Sequence, residues 1–426
     1  MGRRIAVSSA LALALGMLAA MLALAPAQGQ TPAQDQSGPR FRADGPDADA
    51  YGRAENYPTC TGLTYLRELR CQVGAFSHFD EIFPARIVAA PSVAAPLRRA
   101  GAEPSIAYTH DGRSLTLDQY LDANHVTGLL IAKGDTILVE RYQYARTDKH
   151  RLNSFSMAKT IIALLIGIAV GEGAIASIDD PAETYVPGLK GSEYGRTPIR
   201  ALLQMASGVQ FVETYTDPAS DVYVLARLML EQDPAGSIPA VTRFNTRYAP
   251  PGQRFSYSSA ESLVLGLVLA GATKRSVADF TSEKLWKPLG AEADAAWLID
   301  AKGQEITFAY FNAVLRDWAR LGLMLAHDGR WQGKTIVARD WLVAATSIGP
   351  DSPFWTPAVK PGTGAPGYGY QVWLIAGDHR MFMLRGLRGQ FVLVDPETKL
   401  VLVQTALRAN DVELLSMWHA LRAQLR

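Results

Sequence analysis

The apolar run over residues 157–170 constrains the fold of this chain more than any other segment, because it carries Lys159 in its first turn. A helix that is apolar on nearly every face belongs at the centre of a fold. Gly171-Glu172-Gly173 is typical of the end of such a helix. Burying the Lys159 ammonium costs free energy unless the group is paired or loses its proton. The sequence therefore predicts a central helix with a lysine whose burial needs a chemical reason.

Ser156 offers that reason, because it precedes Lys159 by three residues and lies on the same side of a helix. In the first turn, free backbone N–H groups and the helix dipole favour developing negative charge. A serine there can attack a carbonyl group if a neighbour takes its proton. A desolvated lysine with a lowered pKa can be that neighbour. Taken alone, S-x-x-K also fits a serine N-cap beside a solvated lysine.

The first 27 residues have the features of an export signal. Arg3 and Arg4 precede an apolar stretch over residues 5–25, and Ala25-Pro26-Ala27 matches an A-x-A cleavage site. Cleavage before Gln28 predicts a periplasmic or secreted protein with no stable membrane association. An uncleaved membrane anchor is the alternative, because the run approaches the length that spans a bilayer.

Cys60 and Cys71 are the two cysteines of the chain. In an oxidising compartment we expect a disulfide between them, which would close a short loop and contribute about 2–3 kcal/mol. Two free thiols are the alternative. Neither cysteine has a nearby histidine or a second cysteine pair, so no metal site is predicted.

The chain divides by composition into a flexible leader over 28–55, an N-terminal extension over 56–103 and a main domain over 104–426. Strand-like runs around Lys133-Gly134-Asp135, and others around residues 395–398, predict two hairpins. A last helix begins at Asn410, which with Glu413 fits a capping box. The buried stripe expected on that helix is Val412, Leu415, Trp418, Leu421 and Leu425.

Strands at both ends of the main domain, with helical segments between them, predict an α/β (α+β) fold. In this fold both ends of the chain form an antiparallel sheet flanked by helices, and a mostly helical subdomain is inserted.

Several classes of function lack support. Lysines and arginines number 42 against 41 acidic residues, and they form no basic block, so no nucleic-acid partner is predicted. No P-loop, no G-x-G-x-x-G opening a helix and no H-E-x-x-H is present, so no cofactor or metal is predicted. The chain also lacks the G-x-S-x-G of α/β-hydrolases.

The stretch "SFSMAKTIIALLIGIAVGEGAI" resembles the nucleophile helix of the serine β-lactamase and penicillin-binding-protein superfamily, whose first motif is S-x-x-K. Tyr257-Ser258-Ser259 in "RFSYSSAES" is similar to the Tyr-x-Asn of its class C members. Further blocks, including "LLQMASGVQFVETYTDPASDV" and "RGLRGQFVLVDPETKLVLV", resemble the branch of 6-aminohexanoate-dimer hydrolases and related exported esterases. The resemblance covers about residues 104–426 and implies the β-lactamase/transpeptidase-like fold.

The resemblance implies a role for each matching residue. Ser156 would be the nucleophile, Lys159 would hold or accept its proton, and Tyr257 would relay a proton to the leaving group. Which of Lys159 and Tyr257 is the kinetic base stays open. The oxyanion hole would use the backbone N–H groups of Ser156 and Leu384. Residues expected to line the substrate site are Ser259, Tyr215, Tyr370, Gly389 and Gln390.

Two departures from the superfamily pattern bear on the substrate. Ser259 stands where Tyr-x-Asn has its asparagine, and the third motif, Lys/His-Thr-Gly, is absent. Matching without gaps from the hairpin at Pro396 puts Met381-Phe382-Met383 in its place, which removes a cation for a substrate carboxylate, and Arg385 is the first replacement to consider.

The sequence thus predicts an exported serine hydrolase that cleaves an ester or linear amide of a small molecule. A β-lactamase or D,D-peptidase, and a catalytically silent binding protein on the same scaffold, are the alternatives. The oligomeric state is left open.

Overall fold

A computed structural model describes residues 42–348, 352, 354, 365–408 and 410–425. The predicted signal over 1–27 and the leader up to residue 41 lie outside this part of the chain. Residues 42–55, expected to belong to the flexible leader, do not fit that expectation. They fold as turns, and Tyr51 is only 1% exposed because its ring packs edge-on against Tyr144 and His125.

Within the described residues, the central sheet has seven strands in the order β12-β13-β14-β15-β5-β6-β2. The β5–β6 and β14–β15 pairs are the two predicted hairpins, and β15 pairs antiparallel with β5, so both ends of the main domain build one sheet. The strands are β1 Ala85–Val88, β2 Arg98–Arg99, β3 Ala107–His110, β4 Arg113–Thr116, β5 Val126–Lys133, β6 Thr136–Tyr142, β7 Leu152–Asn153, β8 Ala295–Leu298, β9 Phe311–Ala313, β10 Arg330–Trp331, β11 Lys334–Thr335, β12 Trp373–Ile375, β13 Met381–Gly386, β14 Gln390–Asp395 and β15 Leu400–Ala406.

Helices cover both faces of this sheet, as the alternation of its side chains requires. Val392 and Val394 point to the face that carries α11, whereas Phe391 and Leu393 point to the face that carries α13. The helices are α1 Gln72–Phe76, α2 Phe79–Ile82, α3 Leu117–Ala123, α4 Ala158–Gly171, α5 Ile199–Leu203, α6 Asp221–Leu230, α7 Ser237–Thr242, α8 Ser259–Thr273, α9 Val277–Thr281, α10 Lys287–Leu289, α11 Leu315–Ala326, α12 Arg339–Thr346 and α13 Asp411–Gln424. None of them, in the part of the chain described, has the length and apolarity needed to cross a bilayer.

Helix α4 is the predicted central helix. It begins after a 3₁₀ turn over Phe155–Met157, and most of its residues are buried on every side, packed in part against α8. Because α8 carries Ser259 at its first position, the two helices bring both sequence motifs to one place.

The last helix corrects one expectation. The Asn410 side chain accepts a hydrogen bond from the Glu413 N–H, as the capping pattern predicts. Trp418 and Leu421 are buried as expected, and Leu415 and Leu425 are partly buried against the same hydrophobic cluster. Val412 is 63% exposed, however, whereas Leu414 and Met417 are buried. The stripe therefore departs from the expected one at Val412, in the first turn of the helix.

The N-terminal extension is part of the main core. Cys60 and Cys71 are bonded, with Cα atoms 5.7 Å apart, within the range for an unstrained disulfide. Phe76 and Phe79 follow directly and belong to the same hydrophobic cluster as α4. The extension thus packs against the element that carries the S-x-x-K motif.

Candidate active site

Ser156 lies in the 3₁₀ turn that leads into α4. Hydrogen bonds between Ser154, the residue that precedes this turn, and Phe311 fix its start. Ser154 donates its N–H to the Phe311 carbonyl at 2.9 Å, and its Oγ accepts the Phe311 N–H at 3.0 Å. Phe155, between the two serines, has φ of +42°, a left-handed conformation that is unusual for an aromatic residue. Such conformations persist where the surroundings enforce them, often at functional sites.

Aromatic rings supply much of that enforcement. The Phe155 ring packs edge-on against Phe76, with ring centroids 5.2 Å apart, and it also contacts Phe79 and Tyr310. Phe76 and Phe79 come from the N-terminal extension, so this segment supports the backbone on which Ser156 sits.

Lys159 is 1% exposed, and its ammonium has three oxygen partners. Its Nζ lies 3.0 Å from Ser156 Oγ, 3.2 Å from Ser259 Oγ and 2.6 Å from the Phe308 carbonyl oxygen. Burial lowers the pKa of Lys159 from 10.5 to about 8, and the negative charge of Glu213 opposes that shift. The lysine can therefore lose its proton near neutral pH, which is the property the sequence motif calls for.

Tyr257 is the third of the predicted catalytic residues and lies near Lys159. Its partly buried ring stacks on Trp373 with centroids 5.5 Å apart, and the Lys159 Nζ lies 5.2 Å from its centroid. Burial and the charge of Glu213 raise the pKa of Tyr257 well above 10, although a hydrogen bond with the Ser156 side chain and the charge of Arg385 oppose the shift. Tyr257 is therefore a protonated donor at neutral pH.

Ser259 links Lys159 to a carboxylate. Its Oγ donates to Glu213 Oε1 at 2.7 Å, its N–H donates to Glu213 Oε2 at 2.7 Å, and the Tyr215 hydroxyl also donates to Glu213. A serine hydroxyl has one proton, and the Ser259 hydroxyl donates it to the Glu213 carboxylate. Ser259 can therefore only accept from Lys159, so the Ser259–Glu213 pair occupies the place of the asparagine in the superfamily pattern.

A cavity opens at Ser156, and the empty space in it and at its mouth, open solvent included, is about 750 Å³. Two of the residues expected to line the substrate site, Ser259 and Tyr215, line this cavity. Most of the other residues around it are apolar: Leu63, Tyr65, Leu66, Phe155, Val222, Tyr223, Ala226, Leu230, Phe308, Ala309, Tyr310 and Leu387, with Arg227 and Arg388.

The other three expected lining residues do not reach this cavity, because each has a structural task elsewhere. Tyr370 is 7% exposed and its hydroxyl accepts from Arg200 at 3.2 Å. Gly389 has φ of +93°, and a Cβ there would lie 2.4 Å from the Arg408 carbonyl oxygen. Gln390 is 2% exposed and donates to the carbonyl groups of Leu387 and Ala406. Gly389 and Gln390 thus shape the turn between β13 and β14.

Leu384, the residue expected to complete the oxyanion hole, lies inside the sheet. Leu384 is 1% exposed, pairs with Val392 inside the sheet and does not line the cavity. The strand meets the Ser156 turn two residues later, since a Cβ on Gly386 would lie 2.2 Å from the Ser154 carbonyl oxygen. Leu387 then lines the cavity beside Ser156.

The segment matched to the third motif also lies away from the cavity. Met381, Phe382 and Met383 are each at most 2% exposed and pair with β12, away from the cavity. Arg385 is bound to Asp411 at 2.7 Å, and its charge still reaches Tyr257. The cation that lines the cavity from this hairpin is Arg388.

Sequence reasoning missed two features of the site. The contact between Glu213 and Ser259 joins residues from separate loops, and no local pattern predicts it. Glu261, two residues after Ser259, is 1% exposed and accepts from Ser207 Oγ at 2.6 Å, and burial raises its pKa to about 8. An acidic residue in the apolar helix α8 was the available signal for it.

Comparison with known proteins identifies the family of this chain. The beta-lactamase family model matches residues 115–425. A 6-aminohexanoate-dimer hydrolase from Paenarthrobacter ureafaciens is 27% identical over 339 residues, which cover 78% of this chain and 84% of that protein.

Two solved structures share the fold. One, from Bacillus anthracis and named as a candidate 6-aminohexanoate-dimer hydrolase, aligns with a TM-score of 0.76 at 23% identity over 87% of this chain and 97% of its own. A D-stereospecific amidohydrolase from Streptomyces aligns with a TM-score of 0.51 at 18% identity over 70% of this chain and 94% of its own. The family match spans most of the chain and contains every polar residue around Ser156 described above, so this protein is a hydrolase that belongs to the beta-lactamase family.

Proposed function

We propose that this protein is an exported serine hydrolase that cleaves ester or linear amide bonds through an acyl-enzyme on Ser156. The observation that carries the proposal is the 3.0 Å contact between Ser156 Oγ and the buried Lys159 Nζ, whose pKa is lowered to about 8. Export rests on the signal features of residues 1–27 and agrees with the Cys60–Cys71 bond.

The hydrogen bonds around Lys159 fix where its lone pair points. Two of its partners, the Phe308 carbonyl and the Ser259 hydroxyl committed to Glu213, act only as acceptors. A neutral amine has two N–H groups, and these two acceptors use both of them. The remaining direction faces Ser156 Oγ, so Glu213 is a positioning residue that aims the lysine lone pair through Ser259.

The reaction follows from these positions. As Ser156 Oγ bonds to the substrate carbonyl carbon, its proton passes to Lys159. The oxyanion accepts hydrogen bonds from the backbone N–H of Ser156 and, in our proposal, of Leu387 instead of Leu384. Tyr257 gives its proton to the leaving oxygen or nitrogen as that bond breaks, and it regains a proton from Lys159. Water then attacks the acyl-enzyme, with the same groups moving its proton, and releases the acid.

Glu213→Gln tests the positioning role. The amide nitrogen cannot accept the Ser259 N–H, so we expect kcat to fall about 10- to 100-fold, the effect of one hydrogen bond to a charged group. Removing the Glu213 charge also lowers the pKa of Lys159, since that charge raises it. The acid limb of the kcat/KM profile should therefore move to lower pH.

Asp217→Asn is the matched control, because Asp217 is an exposed carboxylate in the same loop and its Oδ1 accepts from the Ala219 N–H. It should leave both kcat and the pH profile unchanged. A purely structural role of Glu213 would lower activity without moving the acid limb, and that result would contradict the proposal.

A panel of p-nitrophenyl butyrate, nitrocefin and a linear ω-amino-acid amide separates the substrate classes. The similarity to a 6-aminohexanoate-dimer hydrolase supports an amide among the substrates tested. The two arginines that line the cavity already have partners, because Arg388 donates to Gln72 and Arg227 pairs with Glu231, so we expect ester hydrolysis with nitrocefin at least about 10-fold poorer in kcat/KM. Efficient nitrocefin turnover would favour the β-lactamase or D,D-peptidase alternative, with Arg388 or Arg385 as the carboxylate ligand. Folded protein that is inert to all three would favour a silent binding protein.

A further inference from the structure

One wall of the cavity at Ser156 comes from outside the family domain. Leu63, Tyr65 and Leu66 line the cavity and lie in the segment closed by the Cys60–Cys71 disulfide, whereas the family match begins at residue 115. We call residues 60–71 the disulfide loop. A segment that lies outside the family match can add to the selectivity of the domain against which it packs.

The disulfide loop is fixed against the site from the inside. Tyr65 is 4% exposed and packs edge-on against Phe79, with ring centroids 4.9 Å apart. Tyr65 and Tyr310 both line the cavity, and Tyr310 is two residues from Phe308, whose carbonyl accepts a hydrogen bond from Lys159. The disulfide and the packing of Tyr65 keep Leu66 at the cavity, where it is still 41% exposed.

Helix α6 contributes a second apolar wall with Val222, Ala226 and Leu230. Two apolar walls on one cavity match a hydrocarbon chain better than a polar group. Arg227 and Arg388 also line the cavity, and no carboxylate is among the described residues that line it. Glu213 lies behind Ser259 and Tyr215, both of which donate to it, and Glu231 pairs with Arg227 at 3.4 Å without lining the cavity. A chain that ends in an ammonium group would therefore meet two guanidinium groups, while these two carboxylates are already bound.

Ser156 and Ser259 line the cavity, whereas Tyr257, the proposed proton donor for the leaving group, does not. We infer that the cavity holds the acyl part of the substrate and that the disulfide loop is the outer wall of this acyl pocket, which selects substrates with an apolar acyl chain lacking a cationic end. This inference rests on the proposed acyl-enzyme function and names its substrate class.

Chain length gives the first test. Each buried methylene contributes about fourfold to binding, so wild-type protein should hydrolyse p-nitrophenyl hexanoate at least about 10-fold faster than the acetate in kcat/KM. Leu66→Ala removes apolar surface from the wall and should lower that hexanoate-to-acetate ratio at least about fourfold. Leu69→Ala is the matched control, because Leu69 lies in the same loop with the same 41% exposure but does not line the cavity, and it should keep the wild-type ratio.

Two further measurements use the same assay. Reducing the disulfide, or replacing both cysteines in Cys60→Ser/Cys71→Ser, should lower the hexanoate-to-acetate ratio as Leu66→Ala does. The p-nitrophenyl ester of 6-aminohexanoate should react at least about 10-fold more slowly than the hexanoate, because its ammonium lacks an acidic partner in the pocket.

The outcomes that would contradict the inferred pocket differ from those that would contradict the proposed function. Equal kcat/KM values for the hexanoate and the acetate in wild-type protein would contradict the role of the disulfide loop as a wall of the acyl pocket. The same hexanoate-to-acetate ratio in Leu66→Ala and Leu69→Ala would contradict it as well. A 6-aminohexanoate ester that reacts as fast as the hexanoate would overturn the exclusion of a cationic end. Protein that hydrolyses none of these esters and takes no fluorophosphonate label on Ser156 contradicts the proposed function itself, and the wall falls with it.

Discussion

Ser156→Ala is expected to lower kcat/KM for any ester or amide substrate at least about 10⁴-fold, because removal of a catalytic serine leaves only binding and oxyanion stabilisation. A fluorophosphonate probe should add one label to wild-type protein, at Ser156, and none to the variant. Intact mass and peptide mapping measure both. Folding should be preserved, since Ser156 is only partly buried and its loss removes one hydrogen bond from Lys159.

Ser258→Ala provides the control for this prediction. Ser258 lies in the second motif, and its hydroxyl contacts Tyr194 at 3.4 Å, away from Lys159. It should keep the label at Ser156. A label on another residue of folded wild-type protein, or activity that survives in Ser156→Ala, would remove Ser156 from the role of nucleophile.

Lys159→Met is expected to lower kcat at least about 10²-fold, the usual contribution of a general base. In wild-type protein kcat/KM should rise with pH through about 8, because only the neutral amine can take the Ser156 proton and its pKa is lowered to about 8. The Lys159→Met variant should lack this rise of kcat/KM with pH. Activity within a few-fold of wild type, with the limb intact, would assign the base to another group, Tyr257 first.

At pH 7 the Lys159→Met variant should unfold at a denaturant midpoint equal to or higher than that of wild-type protein. A loss of activity in this variant would therefore not result from unfolding. Lys159 has a pKa of about 8 when folded and about 10.5 when unfolded, a difference worth about 3 kcal/mol. Below pH 8 both states are protonated and the folded state bears the full penalty. As pH rises from 8 to 10.5, the unfolded state binds more protons, so wild-type protein gains stability relative to Lys159→Met. Denaturant unfolding at pH 7 and pH 10 measures the difference.

The sequence determined the elements whose signals are local. The apolar run of α4, the strand runs of the two hairpins and the spacing of Ser156 and Lys159 each lie within a short stretch, and residue periodicity reports such patterns directly. The sheet made by both ends of the chain followed from the order of these elements. Helix α13 shows the limit of this reasoning. Its cap was readable, but its buried stripe depended on how the helix packs, and Val412 is exposed.

Tertiary structure alone decided the contacts between distant segments. Glu213 reaches Ser259, and Leu66 reaches the cavity at Ser156, through loops whose paths no local pattern fixes. The presence of Leu387, and not Leu384, at the cavity has the same origin, because a gapless match cannot tell how far a strand extends before it meets the turn at Ser154. The sequence by itself therefore predicted which groups carry the chemistry. Packing decided which neighbours contact those groups, and it also decided which side chains line the cavity at Ser156.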